Sequence, residues 1–161
     1  MLGFNDCCWY NKCISFRRKR ANIQELSFKN YDLRMEKKIK QFTDLIAWQE
    51  GHKLVILIYQ MTKKFPKEEL FGLASQMNRS AVSITSNIAE GFGRQGYKEK
   101  LQFNYIAQGS LIELTNQLFI ARDVKLMGVA DSQKIEEQIK QTHKLLQGLI
   151  SKTKSFLIPK S

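Results

Sequence analysis

From residue 43 to residue 156 the apolar side chains recur at intervals of three and four, in four separate runs. No segment shows sustained alternation of apolar and polar residues. A chain patterned in this way buries its apolar surface by packing helix on helix and offers no strands for a sheet. The first run carries two adjacent stripes, Leu45, Trp48, His52, Val55, Tyr59, Thr62 and Ala47, Gly51, Leu54, Ile58, Met61, Phe65. Together they make a face broader than one helix of a bundle normally buries. The second run is Leu70, Leu73, Met77, Ala81, Ile84 and Ile88. The third is Ala107, Leu111, Leu114, Leu118 and Ala121, widened by Phe103, Ile106 and Ser110. The fourth is Ile135, Ile139, Thr142, Leu146, Leu149, Thr153 and Phe156.

The breaks between runs place helices at about 44–64, 67–90, 97–125 and 132–157. Thr43 or Asp44 is the expected cap of the first helix, and Asp131 or Ser132 that of the fourth. Pro66 suits the first turn of the second helix, where Glu68 and Glu69 meet the positive end of its dipole. Gly91 is expected to end that helix in a conformation glycine alone adopts cheaply. Gly109-Ser110 is a weak choice for mid-helix and predicts close approach of a neighbouring helix. Short connections make this an all-α, antiparallel up-down-up-down four-helix bundle with no sheet.

Residues 91–96 read G-F-G-R-Q-G, the spelling of a loop that cradles the pyrophosphate of a dinucleotide. That fingerprint requires a strand before it and a helix after it, and here a helical run precedes it. Chain reversal is the better reading, so no bound cofactor is expected. The loop still gathers Arg94, Lys98 and Lys100 beside a helix N-terminus, a place that suits a phosphate. The remaining turns carry Lys63, Lys64 and Lys67, and then Arg122 and Lys125. In an up-and-down bundle Lys63–Lys67 shares one end with Arg122 and Lys125, while Arg94–Lys100 lies at the other. With 26 Lys and Arg against 15 Asp and Glu, a net charge of +11, these eight residues are the candidate phosphate contacts of a nucleic-acid-binding protein. A solvated basic surface is the plainer alternative.

The length of 161 residues suits one bundle domain over 35–161. Residues 1–34 read differently: C-C-W-Y-N-K-C, then Arg17-Arg18-Lys19-Arg20, then no clear period. They carry +4 of the total charge, and M-E-K-K-I-K at Met35 looks like a fresh start. The expectation is a poorly ordered basic extension, or upstream sequence outside the native protein. Arg17–Arg20 as a nucleic-acid arm is the rival reading. Cys7, Cys8 and Cys13 are too few and too close for a disulfide framework, and the only histidines, His52 and His143, lie far from them, so no metal site is expected. No apolar run is long enough to span a membrane. The first residues do not read as a signal peptide, which predicts a cytoplasmic protein.

Arg79, Asn87, Glu90 and Glu113 fall within or beside the apolar stripes. Glu90 and Glu113 would be candidates for acid–base work, but no third group or oxyanion donor accompanies them. A structural role is the stronger reading: an Arg79–Glu113 or Asn87–Glu113 contact setting helix register. His52 and Trp48 are read as packed or interface residues.

Three motifs, D-L-x-x-W-Q-x-G-H-x-L at Asp44–Leu54, S-N-I-A-E-G at Ser86–Gly91 and A-x-G-S-L-x-E-L at Ala107–Leu114, resemble the family of 23S rRNA intervening-sequence proteins. The accessory protein of diversity-generating retroelements belongs to the same family. The resemblance covers about residues 39–156. It implies an antiparallel bundle assembled as a ring-like homopentamer, with a basic surface for nucleic acid and, in the retroelement branch, a reverse transcriptase as partner. Thr85 stands where the family pattern has proline, and Thr115-Asn116 replaces its acidic step. The expectation is a non-enzymatic protein that binds structured RNA, or RNA paired with DNA, through phosphates. The alternative is an oligomeric scaffold whose main partner is a protein such as a reverse transcriptase.

Overall fold

A computed structural model of the chain describes residues 39–158. The reading of residues 1–34 as an extension, the Met35 start, the cysteine cluster and the Arg17–Arg20 arm all lie outside them. Four helices make the fold: α1 Ile46–Thr62, α2 Leu73–Gly93, α3 Tyr97–Asp123 and α4 Val129–Ser155. Short 3₁₀ turns at Phe42–Asp44 and Lys67–Glu69 precede α1 and α2. No strand occurs among the described residues.

Each helix packs against the one before it and the one after it, and α1 closes the cycle against α4. One polar contact links each neighbouring pair. Thr62 Oγ1 donates to Asn78 Oδ1 at 3.0 Å, and Ser83 and Ser110 share a hydroxyl hydrogen bond of 2.8 Å. Asn104 Nδ2 donates to Thr153 Oγ1 at 3.4 Å, and Gln138 Nε2 to the Glu50 carbonyl at 3.0 Å. A second contact in each pair fixes direction: Gly51 with Thr85, Gly91 with Phe103, Arg122 with Glu136, and Lys64 with Asp131. In every pair the later residue of one helix meets the earlier residue of the next, as in antiparallel neighbours.

The core is built mostly from the expected rows, but Ile150 takes the interior place expected of Leu149, which is half-buried, and Ile106, expected to widen the α3 face, is exposed. Leu54, Ile58, Met77, Ile84, Ile88, Leu111, Leu114, Leu118, Ile135 and Leu146 are buried nearly completely. On α1 the Ala47–Gly51–Leu54–Ile58–Met61 stripe is interior, and of the other stripe Thr62 is buried with it. Trp48 and Val55 flank it, while His52 and Tyr59 face outward. Trp48 stacks on the exposed His52 ring at 4.9 Å and takes the edge of Phe42 at 5.3 Å. Beside this cluster Glu50 holds its carboxyl below the usual carboxylate range, chiefly through the hydrogen bond from Lys53 and also through Gln138.

Several local expectations are corrected. Helix α2 starts at Leu73, not near Pro66, because Lys67–Glu69 closes a 3₁₀ turn and Glu69 Oε2 then accepts the Leu73 amide at 3.1 Å. The period resets there, leaving Leu70 exposed. Leu45 and Gly128, not Asp44 or Asp131, are the N-cap residues of α1 and α4; Asp44 instead accepts the backbone amides of Lys40 and Gln41. Phe156 falls past the last turn of α4 and is exposed. Gly91 does not end α2, which continues to Gly93, and no described glycine has positive φ. Gly91 serves proximity: a Cβ there would lie 3.0 Å from Phe103 Cβ and 3.3 Å from the Lys100 carbonyl. Thr85, which stands where the family pattern has proline, lies inside the continuous α2.

Gly109 is the opposite case. No atom lies within 4 Å of a Cβ placed there, so no helix of the bundle requires it. Gly109→Ala is expected to raise the stability of the protomer by about 0.5–1 kcal/mol, through helix propensity alone. Urea denaturation read by circular dichroism measures the gain.

Candidate nucleic-acid interface

The antiparallel packing sorts the candidate cations onto two ends. At one end the connection from α1 to α2 carries Lys63, Lys64 and Lys67, and the connection from α3 to α4 carries Arg122 and Lys125. The Lys64 ammonium lies 3.5 Å from the Asp131 carboxylate, which joins the two connections. Arg122 is engaged three ways: with Asp123 Oδ1 at 2.9 Å, with Glu136 Oε1 at 3.7 Å, and over the Phe119 ring at 5.0 Å. Lys125 is the only non-glycine residue with positive φ among those described, at 62°. The Leu126 amide donates to the Ala121 carbonyl at 2.9 Å and the Lys125 amide to that of Arg122 at 3.0 Å. This is a Schellman ending of α3 with lysine where glycine is favoured, at a cost of order 1 kcal/mol.

At the other end lie Arg94, Lys98 and Lys100. Arg94 pairs with Glu90 one turn back and sits 4.7 Å over the Phe103 ring. Lys100 Nζ donates to the Phe92 carbonyl at 2.9 Å, capping the last turn of α2. Lys98 is exposed and makes no ion pair among the described residues. The C-terminus of α4 arrives here too, since the Phe156 ring stacks on Tyr97 at 4.7 Å. It brings Lys152, 5.7 Å over Phe156, and Lys154, 5.4 Å over Tyr105. These two cations were not among the sequence candidates. Up-and-down order alone places the last turn of α4 beside the α2–α3 turn, and that was the available signal.

The ends differ in charge balance. Around Lys63, Lys64, Lys67, Arg122 and Lys125 stand Glu68, Glu69, Asp123, Asp131 and Glu136; the first turns of α2 and α4 add Arg79, Lys134 and Glu137, leaving cations and carboxylates nearly equal in number. Around Arg94, Lys98, Lys100, Lys152 and Lys154 stand Glu90 and Glu99, and the start of α1 at the same end adds Lys40, Asp44 and the Lys53–Glu50 pair, so cations remain in excess. The second end therefore projects an uncompensated positive field, and aromatic rings lie among its cations.

The polar residues expected to bridge helices do not do so. Arg79, Glu90 and Glu113 are exposed and Asn87 is half-buried. Asn87 Nδ2 donates to the Ser83 carbonyl at 2.7 Å, and Glu113 Oε1 accepts from Gln117 at 3.1 Å, both within one helix. Arg79 makes no ion pair among the described residues. Arg79 is two residues from both Met77 and Ala81, roughly 200° around the helix from each, and so points outward. The G-x-G-x-x-G spelling starts inside α2, with helix rather than strand before it. Among the described residues no group of three or more His, Cys, Asp or Glu is placed to hold a metal, and no helix is long and apolar enough to cross a membrane.

A family model described as 23S rRNA-intervening sequence protein matches residues 43–148. No curated protein matches the chain. A solved structure from Bacteroides thetaiotaomicron VPI-5482, of a protein with unknown function from the S23 ribosomal protein family, superposes with a TM-score of 0.61 at 20% identity. The match covers 65% of this chain and 98% of that one. At that identity the likeness is one of fold.

Proposed function

The chain belongs to the 23S rRNA-intervening sequence protein family, and from that premise we propose that it is a non-enzymatic, homo-oligomeric protein that binds RNA, in preference to DNA, through phosphate contacts. The observation that carries the reading is the uneven charge of the two ends. One set of cations is matched by its own carboxylates; the other, at Arg94, Lys98, Lys100, Lys152 and Lys154, is not. A polyanion supplies the missing charge and releases its condensed counterions on binding. Filter binding of a structured RNA tests it. Raising salt from about 50 to about 200 mM is expected to weaken binding by two to three orders of magnitude for roughly five phosphate contacts. A flat titration removes the proposal.

The outward side of α3 supports self-association. Ile112, Phe119 and Ile120 are exposed there, beside Gly109 and Asn116. A helix apolar on the side facing away from its own core fits a second partner surface. Tyr59 and Ile56 are exposed on α1, which makes no contact with α3 and lies diagonally across the bundle from it. Apolar patches on opposite sides of a protomer suit head-to-tail contacts, which close as rings. A pentamer is the assembly that family resemblance implies, and sedimentation equilibrium measures the number. The same face would equally serve the second reading, a scaffold for a protein such as a reverse transcriptase.

A further inference from the structure

The N-terminal third of α3 presents two parallel rows. Tyr97, Leu101 and Tyr105 follow one another at i, i+4 and i+8, and Lys98, Gln102 and Ile106 do the same beside them. An open pocket of about 510 Å³ lies between them, lined by Lys98, Leu101, Gln102, Tyr105 and Ile106. Its walls are largely apolar, yet it opens among cations: Lys98 on its rim, Lys154 over the Tyr105 ring, and Lys152 beside Phe156. Phe156 stacks on Tyr97 with the ring planes 19° apart, and both residues remain exposed.

Exposed flat rings interleaved with unmatched cations call for a partner that is at once planar, apolar in face and anionic in its backbone. A duplex does not satisfy this, since its bases are stacked inside and it offers phosphates alone. A second copy meeting this face head to tail would bring the exposed residues of α1, Gln49, His52, Lys53, Ile56, Tyr59 and Gln60, none of which is acidic, and so leaves the cations unmatched. An unpaired strand satisfies it, because every base has a π-face and every linkage a charge.

We infer that this pocket is a nucleobase site. Unpaired bases of a single strand stack on Tyr105 and on the Tyr97–Phe156 pair, the Gln102 amide reaches a base edge, and Lys98, Lys152 and Lys154 hold the adjoining phosphates. The inference rests on the phosphate-binding reading and narrows it: the ligand is RNA with unpaired nucleotides, such as a loop or a free end.

The test is fluorescence anisotropy of the full chain with three labelled probes of equal length: an oligouridylate, an abasic strand of the same backbone charge, and a duplex. The oligouridylate is expected to bind roughly tenfold or more tighter than the abasic strand. Tyr97→Ala with Tyr105→Ala should remove that advantage and leave abasic binding in place, while Tyr105→Phe, which keeps the ring face, retains it. Circular dichroism confirms that the variants fold. Equal binding of the oligouridylate and abasic strands overturns the base site while the phosphate reading stands. Failure to bind any probe overturns the phosphate reading itself, and this inference with it. A uridine advantage that survives both alanine substitutions places the base elsewhere. Loss of self-association in Tyr105→Ala assigns the pocket to a second copy instead. Either result overturns the site proposed here.

Discussion

Leu114→Ala will lower the free energy of unfolding by about 3–4 kcal/mol. Leu114 is fully buried in the middle of α3, in the row Ala107, Leu111, Leu114, Leu118 and Ala121. Truncation removes the transfer free energy of its side chain and leaves a void that helices held at both ends cannot close. Against a typical total stability of about 5–15 kcal/mol, that is a large fraction. Ile112→Ala, two residues away, is the control. Ile112 is 60% exposed on the opposite side of the same helix, and its truncation should change protomer stability by less than about 0.5 kcal/mol. Urea denaturation followed by circular dichroism reads both. Protein concentration is held fixed, because an associating chain gains stability with concentration. Equal costs at the two positions would mean that the rotation of α3 about its axis is wrong. If Ile112→Ala weakens assembly while sparing the protomer, the outward face of α3 is an interface.

The interior of this protein was legible because its buried rows keep the 4-3 spacing, although Ser110 turned inward and Ile106 outward on α3, and Ile150 rather than Leu149 is buried on α4. Helix α1 offered two apolar stripes, and sequence alone does not say which one turns inward. The neighbours decide it: Gly51 lies on the stripe that meets Thr85 of α2 and Thr142 of α4. The glycines were misread in complementary ways. Gly91 looked like a helix stop and is a close contact, whereas Gly109 looked like a close contact and faces open space. A missing side chain signals either a special backbone angle or a crowded neighbour, and only the packed structure separates the two. The start of α2 was displaced because Pro66 and the two glutamates fit a 3₁₀ turn as well as a helix start.

The site was half legible for the same reason. Up-and-down order placed the named lysines and arginines on two ends, but charge balance depends on which carboxylates share each end. Lys152 and Lys154 flank Thr153, a buried residue of the α4 row, and the periodicity of that row carries no signal for the cations on either side of it. Arg79 and Glu113 could have been excluded as cross-helix partners by helical arithmetic, since each lies about 200° from a buried neighbour two positions away.

Charge reversal separates the two ends. Lys98→Glu, Lys152→Glu and Lys154→Glu combined should lower affinity for RNA at low salt by about a hundredfold or more, and reduce the slope of log K against log salt by roughly two to three. Each substitution removes one phosphate contact and sets a carboxylate in its place, at an end where carboxylates are outnumbered by cations. The matching triple at the other end, Lys63→Glu, Lys64→Glu and Lys67→Glu, should have the smaller effect. Its cations already stand among Glu68, Glu69 and Asp131, and Lys64 is already engaged with Asp131. All six lysines are exposed, so both variants should keep their helical content, and exposed charges outside special contacts contribute little to stability. Lys152 and Lys154 also favour the negative end of the α4 dipole, so the first triple is expected to unfold slightly earlier, by roughly 0.3–1 kcal/mol per charge. Parallel salt titrations of the two variants and the parent chain give the answer directly. Equal losses from the two triples would spread binding over both ends and remove the argument from charge balance. A larger loss from the Lys63–Lys67 triple would move the interface to the Arg122 end, where the strained Lys125 would then become the residue to test.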